Sequence, residues 1–284
     1  MRVVGVVRCT DTWSADGCDQ RAVDIMDRVA VGELISDVRP EFVVHLAAAK
    51  SRVLDLDVFR TDYQVNLLGT LNLAQACLVA ECGSRFVHLG TCDEYGHCAV
   101  PFDETSRETP VSAYGVSKLA STHLLQALAR TRDFPAVILR PTNVYGPGQT
   151  TDMLLPALIQ ALTRGEEFPM TRGQQTRDYV YVDDLVDAIV KSLLGKVAAG
   201  TVVNISSAAP VQVRDVALMA AQTIGPRASS LLSFGARDYR PGEVMEYWAS
   251  NARAAELLGW LPRVSLEQGI AWTVANVRRT TGAS

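Results

Sequence analysis

The sequence has no run of apolar residues near the roughly 18 that a membrane-spanning helix needs. It has no long run of Lys or Arg, so nucleic acid is not an expected partner. Its start, Met1 to Cys9, carries two arginines and a short valine run. The charged start, apolar core and small-residue cleavage site of a secretory signal are lacking there, and a cytoplasmic protein is expected. None of the six cysteines (Cys9, Cys18, Cys77, Cys82, Cys92, Cys98) stands in a CxxC pair. A chain of this size needs no covalent staples, so they read as reduced thiols. His88, Cys92, His97 and Cys98 lie close in sequence, but their spacing fits no common zinc pattern. They read as residues packed round a strand end, and no metal is expected. Internal repeats and low-complexity segments are absent.

What is present describes an ordinary globular protein. The 284 residues are 48% hydrophobic and 20% charged, with 27 Lys plus Arg against 31 Asp plus Glu, a net charge of -4. That composition supports a buried core and argues against disorder.

Short apolar runs alternate with amphipathic stretches, the pattern of an α/β protein with a parallel sheet. Val3 to Val7 and Phe42 to Leu46 read as buried strands, being β-branched and continuous. Arg85 to Leu89, Ala136 to Arg140 and Thr201 to Ile205 read as further strands. The spacing predicts a buried helix over Asn66 to Ala80 and another over Ser112 to Arg130, with Leu119, His123, Leu124 and Leu128 on one side. After the Gly146-Pro147-Gly148 turn the texture changes. A helix is predicted over Asp152 to Arg164, a short strand over Tyr179 to Val182 and a helix over Asp183 to Leu194. From Val213 to Val277 the chain reads as mostly helical, punctuated by Pro226, Pro241-Gly242 and Pro262.

Tyr114 and Lys118 stand four apart on a predicted helix and so share one face. An ammonium beside a phenol favours its charged form and lowers its pKa, which suits a general acid/base for a hydroxyl or ketone. A YxxxK match recurs often by chance, but this one has company. Thr91, 23 residues earlier, closes a predicted strand in Leu89-Gly90-Thr91-Cys92-Asp93-Glu94-Tyr95-Gly96. His45-Leu46-Ala47-Ala48 closes an earlier strand. Arg140-Pro141-Thr142-Asn143-Val144-Tyr145-Gly146-Pro147-Gly148 and Arg177-Asp178-Tyr179-Val180-Tyr181-Val182-Asp183-Asp184 follow. In this order and spacing the blocks resemble the extended short-chain dehydrogenase/reductase family, in its nucleotide-sugar epimerase/dehydratase branch, over nearly the whole chain.

The resemblance implies a Rossmann-type doubly wound parallel sheet with a smaller mixed α/β C-terminal substrate domain. The NAD(P)-binding domain is expected over 1–148 and 179–206, and the nucleotide-sugar domain over 149–178 and 207–284. It implies Thr91, Tyr114 and Lys118 as catalytic residues, with Lys118 also holding the nicotinamide ribose. Cofactor neighbours by the same likeness are Arg8, Asp24, Ile25, Leu46, Ala47, Ala48, Asn66 and Pro141. Cys92, Asp93, Asn143, Arg177 and Arg240 match positions near the sugar nucleotide, the two arginines as forks on its diphosphate. Without a ligand, Arg177 reads as an ion-pair partner of Asp178 or Asp183, Asn143 as a polar turn residue, and His88 as a packed core residue. A homodimer built on the helices over 66–80 and 112–130 is implied as well.

One block of the family pattern is missing. The family begins with a strand and a GxxGxxG loop that cradles the pyrophosphate at a helix N-terminus. Val3 to Arg8 fits the second strand instead, because the 16 positions from Arg8 to Asp24 are too few for loop, helix, strand and connection. The chain then starts about one βα unit, ~30 residues, late. The true protein is longer, or the chain is a copy unable to hold its cofactor, or the site is rebuilt differently. Strand groups left unpaired in a buried place cost about 1–3 kcal/mol each. Arg8, where an NAD user commonly has an acid, leans the reading to NADP over NAD.

The expected activity is NAD(P)-dependent chemistry at C4 of a nucleotide-activated sugar. The alternatives are an NADPH-dependent 4-keto-6-deoxy reductase, a 4,6-dehydratase, or a non-catalytic relative. In 4,6-dehydratases an Asp-Glu pair follows the threonine; the places here hold Cys92 and Asp93, with Glu94 one position out of register. Epimerisation or reduction is therefore ranked above dehydration.

Overall fold

The computed structural model describes residues 2–8, 17–50, 56–240 and 242–281; Cys9 and Pro241 lie outside them. In chain order the elements are β1 (Val4–Val7), β2 (Asp19–Ala22), α1 (Arg28–Val38), β3 (Phe42–His45), α2 (Leu56–Tyr63), α3 (Gly69–Val79), β4 (Arg85–Leu89), α4 (Ala113–Arg132), β5 (Ala136–Pro141), β6 (Asn143–Tyr145), α5 (Leu154–Thr163), β7 (Phe168–Met170), β8 (Thr176–Arg177), β9 (Tyr179–Tyr181), α6 (Val182–Leu194), β10 (Thr201–Ile205), β11 (Val211–Gln212), α7 (Val213–Ile224), β12 (Leu232–Phe234), β13 (Glu246–Tyr247), α8 (Ala252–Leu258) and α9 (Leu266–Thr281). They group into two compact units, one of residues 1–96, 107–140 and 192–203, the other of 97–106, 141–191 and 204–284. These bounds differ from the expected domains, since 141–148 and 179–191 group with the second unit.

The first unit is built on a parallel sheet in the order β10-β5-β4-β3. Its registers set Val43 beside Phe86 and Val87 beside Val137. Every residue of β5 is buried, as are Phe86, Val87 and His88 of β4. Strands covered on both faces need continuous apolar runs, which these have. Val31, Ile35, Leu73, Cys77 and Leu125 pack on them from α1, α3 and α4, with Phe134 from the connection after α4.

β1 and β3 are strands as expected but are not buried. Val3 is 47%, Val6 43% and Val44 38% exposed, and in β3 His45 alone is buried. The reason is partly topological. β1 pairs in parallel with β2 only, in a separate two-stranded sheet, and among the described residues no strand pairs with the second edge of β1 or of β3. An open edge alone does not expose a strand, since β10 is the other edge of the sheet that holds β3 and is buried; β1 and β3 also lack full cover on their faces.

The helix caps follow the sequence. Asp27 accepts from the amides of Val29 and Ala30, both at 3.0 Å, at the start of α1. Ser112 accepts from Gly115 N at 3.0 Å at the start of α4, the usual role of a short polar N-cap. The buried face of α4 is not the one its leucines suggest. Leu119, Leu124 and Leu128 are half-buried and His123 is exposed, while Lys118, Ser121, Thr122, Leu125 and Ala129 are buried. Ser121 Oγ bonds Ser117 O and Asn66 O, each at 2.9 Å. Small hydroxyl side chains satisfied in this way allow close helix packing without an unpaired polar group.

The second unit holds the mixed sheet β11-β8-β13 and the pairs β12-β7 and β6-β9. Its core gathers Tyr145, Leu158, Ile159, Val216, Ala220 and Ile270, chiefly from α5, α7 and α9. Trp260 is wholly buried and donates Nε1–H to Asp184 O at 2.9 Å. Asp178, also wholly buried, organises the polar centre. Its carboxylate accepts from Thr142 Oγ1 (3.1 Å), Ser207 N (3.0 Å), Ser207 Oγ (2.7 Å) and Ala208 N (3.2 Å), and from Ser206 Oγ. An amide replaces one of those acceptor oxygens with a donor. Asp178→Asn is therefore expected to lower the unfolding free energy by about 1–3 kcal/mol, measured by urea denaturation with an unchanged m-value.

Candidate active site

Thr91 follows β4 and caps a single 3-10 turn, Cys92–Glu94. Its hydroxyl accepts from Asp93 N at 3.2 Å, while its own amide donates to Glu94 Oε1 at 3.0 Å. This reciprocal capping box fixes the direction of the side chain. The Thr91 hydroxyl is hydrogen-bonded to the Tyr114 phenol. Tyr114 and Lys118 lie in the first two turns of α4, and Lys118 is 1% exposed. The structure thus joins Thr91 to Tyr114 and sets Lys118 one turn further along the same helix.

The electrostatics differ from the sequence expectation. The Tyr114 pKa is pushed well up, first by burial and then by the negative charges of Asp93, Glu94 and Asp62, against the Thr91 hydrogen bond. Lys118 does not offset this; burial lowers its own pKa to about 8, opposed by Glu94. Lys50 adds a second ammonium, 5.2 Å from the centre of the Tyr114 ring.

Behind the pair lies a polar interior. Burial lowers His45 to about 3, with Lys118 adding to the effect. His88, packed in the core as expected, is driven down in the same way by burial, Lys118 and His45. The two rings are 5.1 Å apart and both are neutral. Thr70 Oγ1 donates to Asn66 O at 2.5 Å, so it accepts from His45 Nε2 at 2.9 Å. Neither ring nitrogen of His88 has a hydrogen-bond partner among the described residues.

The segment after Thr91 sorts itself by burial. Cys92 is fully buried, its thiol 3.3 Å from Arg140 O. Asp93 is half-buried beside the phenol. Glu94 is fully buried, and its Oε2 accepts from Arg140 Nε and Thr122 Oγ1, both at 2.8 Å, and from Arg140 Nη2 at 2.7 Å. Arg140 Nη2 also reaches Glu108 Oε1 at 2.9 Å, and the guanidinium lies 4.6 Å from the centre of the Tyr95 ring. Sequence reasoning missed this network. Its signal was an arginine closing an otherwise apolar buried strand, a charge that needs a partner.

Of the expected cofactor residues, Arg8, Asp24, Ile25, Leu46, Ala47 and Ala48 stand at exposed or turn positions, and Asn66 and Pro141 are buried. Arg8 is exposed after β1. Asp24 Oδ1 accepts from Met26 N at 2.9 Å, a turn that leads into α1, and Ile25 O accepts from Asn72 Nδ2 at 2.9 Å. Leu46, Ala47 and Ala48 are exposed after β3. Asn66 is buried and its amide is fully engaged. It accepts from Ala49 N at 2.7 Å and donates to Ala49 O at 2.9 Å and Ser117 Oγ at 2.8 Å, so it clamps that loop to α4. Pro141 ends β5, buried.

Asn143, Arg177 and Arg240 belong to the second unit. Asn143 Nδ2 donates to Asp178 O at 2.9 Å. Arg177 pairs with Glu243 at 2.5 Å, not with Asp178 or Asp183, because the Asp178 carboxylate is engaged by hydroxyls and amides. Arg240 is exposed, and its carbonyl accepts from Glu243 N at 3.0 Å in the turn that carries the partner of Arg177.

Residues 2–206 match the NAD dependent epimerase/dehydratase family. The chain is 33% identical over 276 residues to the UDP-glucose 4-epimerase of Mycolicibacterium smegmatis, covering 94% of this chain and 86% of that protein. It is 30% identical over 274 residues to the dTDP-glucose 4,6-dehydratase of Neisseria meningitidis, covering 89% and 76%. Among solved structures, the UDP-glucose 4-epimerase of Thermotoga maritima with UDP-glucose superposes with a TM-score of 0.91 at 27% identity, covering 99% of this chain and 92% of that one. The UDP-glucuronic acid 4-epimerase of Bacillus cereus, with UDP-glucuronic acid and NAD, gives 0.88 at 27% identity, covering 98% and 91%. The chain is a member of the NAD-dependent epimerase/dehydratase family and has its Rossmann-type α/β fold.

Proposed function

We propose that the chain acts at C4 of a nucleotide-activated sugar, using NAD(P), through Thr91, Tyr114 and Lys118, and that its reaction is epimerisation. The observation that carries the choice of reaction is the burial of Cys92 against Arg140 O. Elimination of water from C5–C6 needs an acid and a base beyond the phenol. Cys92 is sealed in the core and Glu94 is held by Arg140, which leaves Asp93 as the one carboxylate of the segment open to a sugar.

The residues present fit the two ends of a dinucleotide. Lys118 and Tyr114 suit the nicotinamide ribose, and the Asp24–Ile25 turn suits the adenine. The small exposed side chains of Ala47 and Ala48 permit close approach between them. The sequence holds no glycine-rich turn for the pyrophosphate. Held there, an oxidised nicotinamide would supply what no side chain can, a hydride acceptor. Tyr114 takes the proton of the C4 hydroxyl as that carbon loses hydride, and returns it when hydride reaches the other face of the 4-keto sugar. Thr91 donates its hydroxyl hydrogen to the same oxygen, and Lys118 holds the ribose. The cycle has no net oxidation. Asn143, Arg177 and Arg240 take the diphosphate; for Arg177 this means exchanging Glu243 for a phosphate. The assembly proposed is a homodimer.

Tyr114→Phe is expected to abolish the interconversion of UDP-glucose and UDP-galactose, a loss of at least about 100-fold, with the circular dichroism spectrum unchanged. Wild-type turnover in that variant would end the mechanism. Release of a 4-keto-6-deoxy sugar from UDP- or dTDP-glucose by the parent chain would reverse the ranking of the reactions. Lys118→Ala should weaken NAD(P)H binding, followed by fluorescence titration, and lower kcat together. In this reading Arg8, exposed after β1, meets a 2′-phosphate, so NADPH should bind tighter than NADH, and Arg8→Ala should remove the difference.

A further inference from the structure

Glu94 lies outside the proposed acid/base set, yet it bonds Thr91 directly and α4, the helix of Tyr114 and Lys118, through Thr122. Oε1 holds the Thr91 amide at 3.0 Å, and Oε2 is bonded to Thr122 Oγ1 at 2.8 Å. Thr122 is one turn beyond Lys118 on α4, so the two share a face. Arg140 clamps the same oxygen through two nitrogens, and Glu108 takes up part of that guanidinium. We propose that Glu94 is the positioning residue of the site: one buried carboxylate, fixed by Arg140, sets the backbone of Thr91, holds α4 through Thr122 and serves as the counter-charge of Lys118. This rests on the reading of Tyr114 and Lys118 as the catalytic pair.

The surroundings leave Glu94 that task. Facing Lys118 are His45 from β3 and His88 from β4, both neutral, and Glu94 from the 3-10 turn. Facing Tyr114 are Asp93 and Glu94 from that turn, Asp62 from α2 and Lys50 from the segment after β3. Glu94 is the one carboxylate that acts on both groups and bonds the third member as well. Its sign is clear. An anion near an ammonium favours the charged form, so Glu94 holds the Lys118 titration up against burial, which brings it to about 8.

The sequence has four lysines, so Lys118 is resolvable in carbon-13 spectra of protein labelled at lysine Cε, without cofactor or sugar. Glu94→Gln keeps an acceptor for the Thr91 amide and removes the charge. The Lys118 midpoint should then fall by about one pH unit while Lys50, Lys191 and Lys196 hold theirs. Glu94→Asp, which keeps the charge and draws it back from Thr91, should restore the midpoint but not kcat. In Glu94→Gln, kcat should fall more than KM rises. An unmoved or raised Lys118 midpoint overturns the proposal. If Glu94→Gln does not fold, the wild-type protein carries the test: the Thr91 amide proton should shift with the same midpoint as Lys118, and a flat Thr91 signal overturns it. A chain inert toward sugar nucleotides would fail the catalytic reading, and the titration would still judge Glu94.

Discussion

A charge taken out of water must be met by another charge or by hydrogen bonds, or it is not kept as a charge. The interior of the first unit is arranged by that constraint. Arg140, Glu94 and Lys118 are buried to within 1% exposure, and two imidazoles lie beside them. The imidazoles answer by staying neutral. Arg140 and Glu94 answer by pairing through two nitrogens, with Thr122, Glu108 and the Thr91 amide taking most of the remaining positions. Removing one partner from such a set leaves a buried charge exposed to a low dielectric, which is why ion pairs of this kind resist piecemeal change. The consequence for the site is geometric. The turn that presents Thr91 is anchored at its far end to β5 through Arg140, so the strand that fills the core and the residue proposed to touch the sugar move as one body.

The same sheet shows where sequence patterns carry information and where they do not. β4, with its apolar run, and β10 begin and end where their runs begin and end, because each is paired on both sides or packed on both faces. β1 and β3 have the same β-branched composition, and the pattern expected burial for both. Composition reports what a strand tolerates; exposure also depends on what covers its faces, for among the described residues β10 has one paired neighbour, as β3 has, and is buried. α4 fails differently. Its leucines suggested the inward face, yet serines and a threonine are buried in their place because each finds a carbonyl or carboxylate to bond. Hydrophobic periodicity cannot detect a polar face whose hydrogen bonds are satisfied.

The site divides along the same line. Thr91, Tyr114 and Lys118 could be read because the helix sets Tyr114 and Lys118 on one face and a strand end sets Thr91 in an ordered sequence of blocks. Glu94 and Arg140 are 46 positions apart, and no local rule connects them; only the fold brings β5 beneath the turn after β4. Reading Lys118 as the group that lowers the phenol also failed for a nonlocal reason. Its burial draws it toward its own neutral form, while three carboxylates raise the phenol.

That balance also bears on the reaction. The proposed reaction asks one proton of the phenol, whose pKa is held up by burial and by the carboxylates of Asp93, Glu94 and Asp62. Elimination asks for more, a second proton donor to the leaving hydroxyl and a base at the adjacent carbon, both open to the sugar. The turn after Thr91 has three residues, and the fold gives two of them structural work: Cys92 packs against the carbonyl of Arg140, and Glu94 binds its guanidinium. A turn that anchors itself to the core through two of three side chains has one left for chemistry. A phenol beside one hydroxyl would suffice for the single proton of the proposed epimerisation, the hydride being carried away and returned by the dinucleotide.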